Sequence, residues 1–356
     1  MNESDNSKKA AANEPEATQA SLATGERPTL KTISRLSGLA VPTVSRALSN
    51  APDIGQRTKD RVKAIAQQIG YRPNRAGLRL RTGKTQVISL VLATDFDVMN
   101  QTAILIGSIA QGLRGTEYHL NVNPSFADDP MSPVRYIVES GSADGIIINA
   151  TLPDDPRINY LRDVGFPFAT HGRTSIAEQH AYFDFDHFRL GQLSVGEFIN
   201  RSRRHTLLIS PPQQQNYAQE LISGARETAE KHGMTLTTLD NTNCESPLEE
   251  IETAIHAHFK CFPETDALLC ASTTAALGAI ATVDDLGLII GEDVDVCTRE
   301  IIPLLGRFRR GILTVDEDVA LAGMFLAKAV VQAIEHPLES PLQALEVPEN
   351  INVFPQ

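Results

Sequence analysis

The chain has 356 residues, 42% of them hydrophobic and 21% charged, with a formal net charge of −12 at pH 7. That length holds a small domain beside a larger body with ample apolar surface for a core. No run of about 18 apolar residues occurs, which excludes a membrane-spanning helix, and the four scattered cysteines (Cys244, Cys261, Cys270 and Cys297) form no C-x-x-C pair and no metal-spaced set with histidine. The thiols therefore read as reduced and the compartment as cytoplasmic, with no metal and no cofactor expected. Residues 1–27 are polar and acidic, lack an apolar h-region, and read as a disordered tail rather than a signal peptide.

From Thr29 onward the pattern is helical. Thr29 is placed to cap a helix whose apolar positions are Leu30, Ile33 and Leu36, and Gly38 ends it, because glycine takes positive φ cheaply. A second helix follows, with Val44, Ala47 and Leu48 turned toward the first. Val41, Pro42, Thr43, Ser45 and Arg46 are left on the outer face. Small hydroxyls and an arginine there suit phosphates and base edges, the layout of a helix-turn-helix DNA reader, although an ordinary pair of antiparallel helices has the same periodicity. Thr58 to Ile69 predicts a third helix with Val62, Ile65, Ala66 and Ile69 on one stripe, stopped by Gly70. Asn74 then caps a six- or seven-residue helical stretch before Gly83. So short a helix is marginal in water, Gly77 costs it about 1 kcal/mol relative to alanine, and its arginines favour ordering against an anion.

The charge map agrees. Residues 28–85 carry twelve Lys/Arg and two acids, a net of +10 that leaves −20 for the residues after 85 once the tail is counted. A basic head on an acidic body localises nucleic-acid affinity in the head.

Residues 29–85 resemble the DNA-binding head and hinge of the lactose-repressor (LacI/GalR) family. The matching pieces are Thr43-Val44-Ser45-Arg46, Ala47-Leu48-Ser49-Asn50, Thr58 with Arg61-Val62, and Gly70-Tyr71-Arg72-Pro73-Asn74. The resemblance implies base reading by Val41, Pro42 and Arg46 in the major groove and phosphate contacts from Thr29, Thr43, Ser45, Tyr71 and Asn74. It also implies a hinge helix over 74–81 that enters the minor groove through Ala76, Gly77, Leu80 and Arg81, with Leu80 as the wedge that kinks the duplex. Pro42 departs from the family's polar reader and offers only apolar contact, so Arg46 is left with most hydrogen-bonded readout. Gly77 replaces the usual alanine and Gly55 the usual serine cap.

The rest alternates apolar strands with helical runs. Strands are expected at 87–92, 118–122, 144–149 and 167–170, with helices near 101–114 and 131–140 and another after Asn149. The pattern repeats with 206–210, 217–232, 236–239, 247–259, 267–271, 273–286, 293–297 and 319–335. Continuous apolar strands between helices mean parallel sheets with covered faces, here in two doubly wound lobes that break near the polar run 200–205. This is similar to the periplasmic-binding-protein-like core that the family joins to its head. The expected class is therefore α+β and multidomain: a tail (1–27), an all-α helix-turn-helix head (28–73), a hinge helix and linker (74–85) and a two-lobed α/β core (86–356).

Ligands of open α/β sheets bind beyond the carboxyl ends of the strands, which nominates Asp95, Phe96, Asn149, His171, Arg173, Tyr217, Ser272, Thr273, Arg299 and Glu300 as effector-binding candidates. Polar groups with aromatics nearby suit a sugar. The family's usual anchors are altered: Leu221 stands for an arginine, Arg299 for an aspartate and Ser272 for an asparagine, so Arg299 is the expected charged anchor. The run His171-Gly172-Arg173 with Tyr182-Phe183-Asp184-Phe185-Asp186 is similar to carbohydrate-responsive members, including those sensing α-glucosides. No G-x-S-x-G, P-loop, H-E-x-x-H or G-x-G-x-x-G occurs, and Asp128/Asp129 and Asp184/Asp186 read as turn and cap residues, so no enzyme is expected. The expected protein is a ligand-responsive regulator, a repressor of carbohydrate genes, binding a pseudo-palindromic operator as a homodimer. With no leucine heptads near the end, a coiled-coil tetramer is not expected. A DNA binder with a sensor body that has lost its ligand, or a solute-capture protein, are the alternatives.

Overall fold

A computed structural model describes residues 28–71, 79, 83–93 and 99–354. The chain separates into two compact units, the first ending at Gly83 and the second beginning at Lys84.

The first unit is a three-helix head: α1 (Leu30–Ser37), α2 (Val41–Leu48) and α3 (Gln56–Gln68). Thr29 and Thr32 cap α1 reciprocally, the Thr32 N–H donating to Thr29 Oγ1 at 3.3 Å and the Thr29 N–H to Thr32 Oγ1 at 3.1 Å. Gly38 closes α1 at φ +69°, the left-handed geometry its sequence position demanded. Gly55 gives α3 an extended N-cap, so the helix starts at Gln56, ahead of the expected Thr58. Ile33, Val44, Ala47 and Val62 are fully buried and pack with Ala66 into the head's core, with Leu30, Leu48, Ile65, Ile69 and Tyr71 around them. Lys59 is buried as well, its Nζ donating to the Asn50 carbonyl at 3.3 Å and tying α3 to the turn after α2.

The second unit holds two six-stranded sheets. The first has the order β11-β5-β4-β3-β1-β2, from β1 (Val87–Ala93), β2 (His119–Ser125), β3 (Gly145–Ile148), β4 (Phe168–His171), β5 (Ala181–Phe185) and β11 (Gln343–Glu346). The second has the order β12-β10-β9-β8-β6-β7, from β6 (His205–Ile209), β7 (Thr235–Thr238), β8 (Ala267–Cys270), β9 (Asp295–Glu300), β10 (Leu313–Asp316) and β12 (Asn352–Val353). Every pairing is parallel except β10 with β12. Helices α4 (Met99–Gly112), α5 (Ser132–Ser140) and α6 (Pro156–Asp163) connect strands of the first sheet; α8 (Asn216–His232), α9 (Leu248–Cys261), α10 (Thr273–Asp285) and the short α11 (Leu305–Phe308) connect those of the second. Both sheets thus follow the strand–helix–strand alternation that the apolar periodicity predicts.

Three crossings join the lobes, and two of them differ from the sequence reading. The chain enters the second lobe at Asp186, ahead of the polar run 200–205. Helix α7 (His187–Asn200) buries Leu190, Val195 and Phe198 in the second lobe's core, so the polar run is only the turn between α7 and β6. Helix α12 (Val319–Glu335), expected as part of the second repeat, returns to the first lobe. Its apolar face (Val319, Ala322, Leu326, Ala327 and Val330) packs with Ile88, Leu90, Leu105 and Ile109. The third crossing runs from β11 to β12.

Helices α7 and α8 meet at backbone distance. A Cβ on Gly224 would lie 2.0 Å from the Phe188 carbonyl oxygen, and one on Gly191 2.5 Å from that of Leu221. Only residues without a side chain permit this approach. Gly224→Ala should therefore destabilise the body by about 1–3 kcal/mol, read as a lower urea midpoint; an unchanged midpoint would show that the helices separate freely.

Candidate nucleic-acid interface and effector cleft

On the head, α2 presents Pro42 and Arg46 to solvent, with Val41, Thr43 and Ser45 half-buried beside them. The Arg46 guanidinium lies 2.5 Å from the Asp53 carboxylate in the turn before α3, both side chains about half exposed. Such a surface pair is worth about 0–1 kcal/mol, so Asp53 holds the guanidinium only weakly. Tyr71 packs against the head's core. Asn74, Ala76, Gly77, Leu80 and Arg81 lie outside the described residues.

In the body, the carboxyl ends of the parallel strands of both sheets face a common cleft of about 320 Å³. The first lobe contributes Thr102, Asn149, Thr151, His171 and Asp184; the second contributes Gln215, Tyr217, Glu245, Ser272, Thr273 and Arg299. His187 and Glu317, from the first two crossings, complete the lining. Of the residues nominated from strand ends, Asn149, His171, Tyr217, Ser272, Thr273 and Arg299 are thus brought together. Asp95 and Phe96 lie outside the described residues.

Two nominated residues are not on the cleft wall. Glu300 is buried and turned to the backbone, where its Oε1 accepts from the Leu304 and Leu305 N–H groups at 3.2 and 2.7 Å. Arg173 bridges the lobes instead: its Nε donates to Asp184 Oδ2 and its Nη2 to Glu220 Oε2 on α8, each at 2.8 Å. Leu221, at the altered anchor position, is fully buried in the second lobe's core. Asp184 is no turn residue, as its composition suggested, but a strand residue of β5 held by Arg173. Asp186 does cap α7, accepting from the Arg189 N–H at 2.9 Å, and Asp129 accepts from the Ser132 N–H at 3.1 Å ahead of α5.

Sequence reasoning missed Gln215, His187, Glu245 and Glu317. Glu317 follows β10, a four-residue strand that periodicity did not resolve, so no strand end pointed to it. Glu245 sits in the connection after β7, where nothing local marks a ligand site. Some nominated groups are already engaged: Asn149 Oδ1 accepts from the Ala93 N–H at 3.0 Å, and the Ser272 hydroxyl caps α10 while donating to the Cys244 carbonyl at 2.8 Å.

Burial dominates the electrostatics. It raises Glu245 to about 7, against the opposing hydrogen bond from the Tyr217 hydroxyl (2.8 Å) and the field of Arg299. Asp184 is likewise pushed up to about 7 by burial, with Arg173 pulling it back. Burial depresses both His171 and His187, so the imidazoles sit neutral. His187 Nδ1 lies 2.8 Å from the Phe185 carbonyl and donates to it, which leaves Nε2 as an acceptor. Arg299 is ion-paired with Glu317, both side chains buried. Three cleft residues carry buried atoms with no partner among the described residues: His187 Nε2, Gln215 Oε1 and Glu245 Oε2. Among the described residues no cluster of histidine, cysteine or carboxylate is arranged to hold a metal, and no helix is long and apolar enough to cross a membrane.

The raised carboxyls have a consequence for stability. Glu245 ordinarily titrates near 4.5 and holds its proton to about 7 in the folded chain. Between those values the folded state binds more protons than the unfolded one, so this group's stabilisation is present at low pH and is lost as pH rises through that window. Glu245→Gln should flatten the fall in melting temperature between about pH 4.5 and 7. A slope equal to that of the unsubstituted protein would contradict the raised carboxyl.

Two family models match the chain: the bacterial regulatory proteins of the lacI family over residues 29–74, and the periplasmic binding proteins and sugar-binding domain of the LacI family over residues 121–345. The HTH-type transcriptional regulator AglR of Rhizobium meliloti (strain 1021) is 28% identical over 322 residues, covering 89% of this chain and 90% of its own. Among solved structures, the lac repressor dimer bound to operator and the anti-inducer ONPF superposes with a TM-score of 0.78 at 17% identity over 93% of this chain and 100% of that one. A complex of the transcriptional regulator CelR with cellobiose gives 0.66 at 22% identity over 92% and 99%. With a helix-turn-helix head, a two-sheet α/β body and a family model spanning more than half its length, the chain belongs to the LacI family of bacterial transcriptional regulators.

Proposed function

We propose that the protein is a dimeric, carbohydrate-responsive repressor. Its head (28–73) grips a pseudo-palindromic operator, its hinge (74–85) orders on the duplex, and its core (86–356) binds a sugar in the cleft. Val41, Pro42 and Arg46 read bases. Thr29, Thr43, Ser45, Tyr71 and Asn74 hold phosphates, and Ala76, Gly77, Leu80 and Arg81 occupy the minor groove. Asn149, His171, Tyr217, Ser272 and Arg299, joined by Gln215, His187 and Glu245, form the effector site, with Asp95 and Phe96 following β1. Arg173 and Glu300 serve as lobe-bridging and loop-holding residues. The protein acts in the cytoplasm and performs no catalysis.

The observation that carries this reading is the cleft itself. Its unpartnered acceptors sit where two doubly wound lobes face each other across their strand ends. Buried acceptors without donors cost about 1–3 kcal/mol each, and hydroxyl groups are what satisfies them. The Tyr217 ring, tilted against His187 with ring centroids 5.0 Å apart, offers the apolar face that sugar C–H groups need. The complex of CelR with cellobiose supports a saccharide as the ligand class. A ligand that binds one lobe angle better than another shifts the population of hinge geometries, and with it the affinity for operator.

The direct test is selection of bound sequences from a random duplex pool by the full chain, with and without a panel of saccharides. The expected result is a two-fold-symmetric motif whose enrichment changes with one sugar. A featureless pool, or enrichment indifferent to every sugar, would overturn the reading. Arg46→Ala should cost about 1–3 kcal/mol and relax preference at one position of each half-site; an unchanged preference would remove Arg46 from the readers. Affinity should also fall steeply with salt, given the cationic head, and a flat response would contradict phosphate contact.

A further inference from the structure

We propose that Glu317 sets the charge class of the effector: by occupying Arg299 it closes the cleft to phosphorylated and carboxylated sugars and leaves it selective for uncharged ones. This rests on the sugar-binding reading above and narrows it.

An arginine in a ligand cleft ordinarily announces an anionic ligand, because the guanidinium fork matches phosphate and carboxylate. Here that charge already has a buried partner. Arg299 is the sole lysine or arginine among the described residues lining the cleft, and its Nη1 is ion-paired with Glu317 Oε2, with only 9% and 2% of the two side chains exposed. The undescribed stretch that follows β1, Thr94-Asp95-Phe96-Asp97-Val98, contains no lysine or arginine. Arg173, behind Asp184, is bonded to Asp184 and Glu220, and the buried Arg157 is paired with Asp155.

Among the described residues the remaining charges lining the cleft are carboxyl groups: Asp184 is balanced by Arg173, and Glu245 accepts from the Tyr217 hydroxyl. An anion would have to displace Glu317 from Arg299 and then share a low-dielectric space with Glu245. The hydrogen-bonding inventory points the same way. The unpartnered atoms of Gln215 and His187 are acceptors once His187 Nδ1 donates to Phe185, and Glu245 Oε2 joins them when its carboxyl is ionised. A sugar hydroxyl supplies a donor to each, whereas a phosphate dianion supplies none.

Glu317 also lies at the second crossing between the lobes, directly before the Asp318 cap of α12. An anion that pulled Arg299 away would therefore disturb a crossing as well as a contact.

The test is isothermal titration of the full chain with maltose, cellobiose and melibiose, and with maltose 6′-phosphate, cellobiose 6′-phosphate, glucose 6-phosphate and glucuronate. The same series is run on Glu317→Gln and on the double variant Arg299→Gln/Glu317→Gln, with circular dichroism melts to establish folding. The expected result is binding of an uncharged sugar at least a hundredfold tighter than any charged probe. That gap narrows at least tenfold in Glu317→Gln and reopens in the double variant; rejection by bulk alone would leave it unchanged. A charged probe that binds the unsubstituted protein as tightly as its uncharged counterpart overturns the proposal, and so does an unchanged gap in folded Glu317→Gln. If Glu317→Gln does not fold, the comparison on the unsubstituted protein decides. If no saccharide of either class binds, the sugar-sensing reading itself falls and takes this inference with it.

Discussion

The body is built on one topological constraint: the chain passes between its two parallel sheets three times, and each parallel strand delivers its carboxyl end toward the same gap. Two of those passages furnish cleft residues, His187 beside Phe185 and Glu317 before α12. Positions that join the lobes are therefore also positions that line the cleft. Any molecule that prefers one setting of these side chains prefers one lobe angle, which is the differential affinity a switch requires.

The non-covalent ties across the gap have the same double character. Arg173 reaches from the first lobe to Glu220 on α8, and the Asn216 N–H donates to the Thr151 carbonyl at 3.1 Å. Buried ion pairs are poor stabilisers, since desolvation offsets much of their attraction, and apolar replacements are often neutral or better. Arg299 with Glu317, and Arg173 with Asp184, are better understood as devices that fix where charge sits in the cleft. The tight contact through Gly191 and Gly224, by contrast, makes α7 and α8 a rigid block.

Much of the architecture is legible in the primary structure. Leu30, Ile33, Gly38, Val44 and Ala47 carry enough periodicity and backbone chemistry to place the first two helices, and the apolar runs at Val87–Leu92 and Gly145–Ile148 read directly as covered parallel strands. What escaped was non-local. Strand β11, Gln343–Glu346, alternates exposed and half-buried residues and becomes a strand only because β5 is there to pair with it. Helix α12 has an unmistakable apolar face, but no local signal says which lobe it covers; that depends on the chain crossing at Glu317. The site suffered in the same way. Strand ends that could be read, such as Asn149, His171 and Arg299, led to cleft residues, whereas Glu317 and Glu245 needed the tertiary placement of β10 and of the connection after β7. Arg299 was visible as a charge, but its neutralisation by Glu317 was not.

If the cleft and the head are coupled as proposed, the coupling is reciprocal. The most direct measurement is the pair of dissociation constants of the effector sugar for the full chain, free and saturated with operator duplex, set beside the pair for operator with and without sugar. The account predicts two ratios that differ from one and agree with each other. A sugar that binds the cleft with the same affinity whether or not operator is present would contradict it.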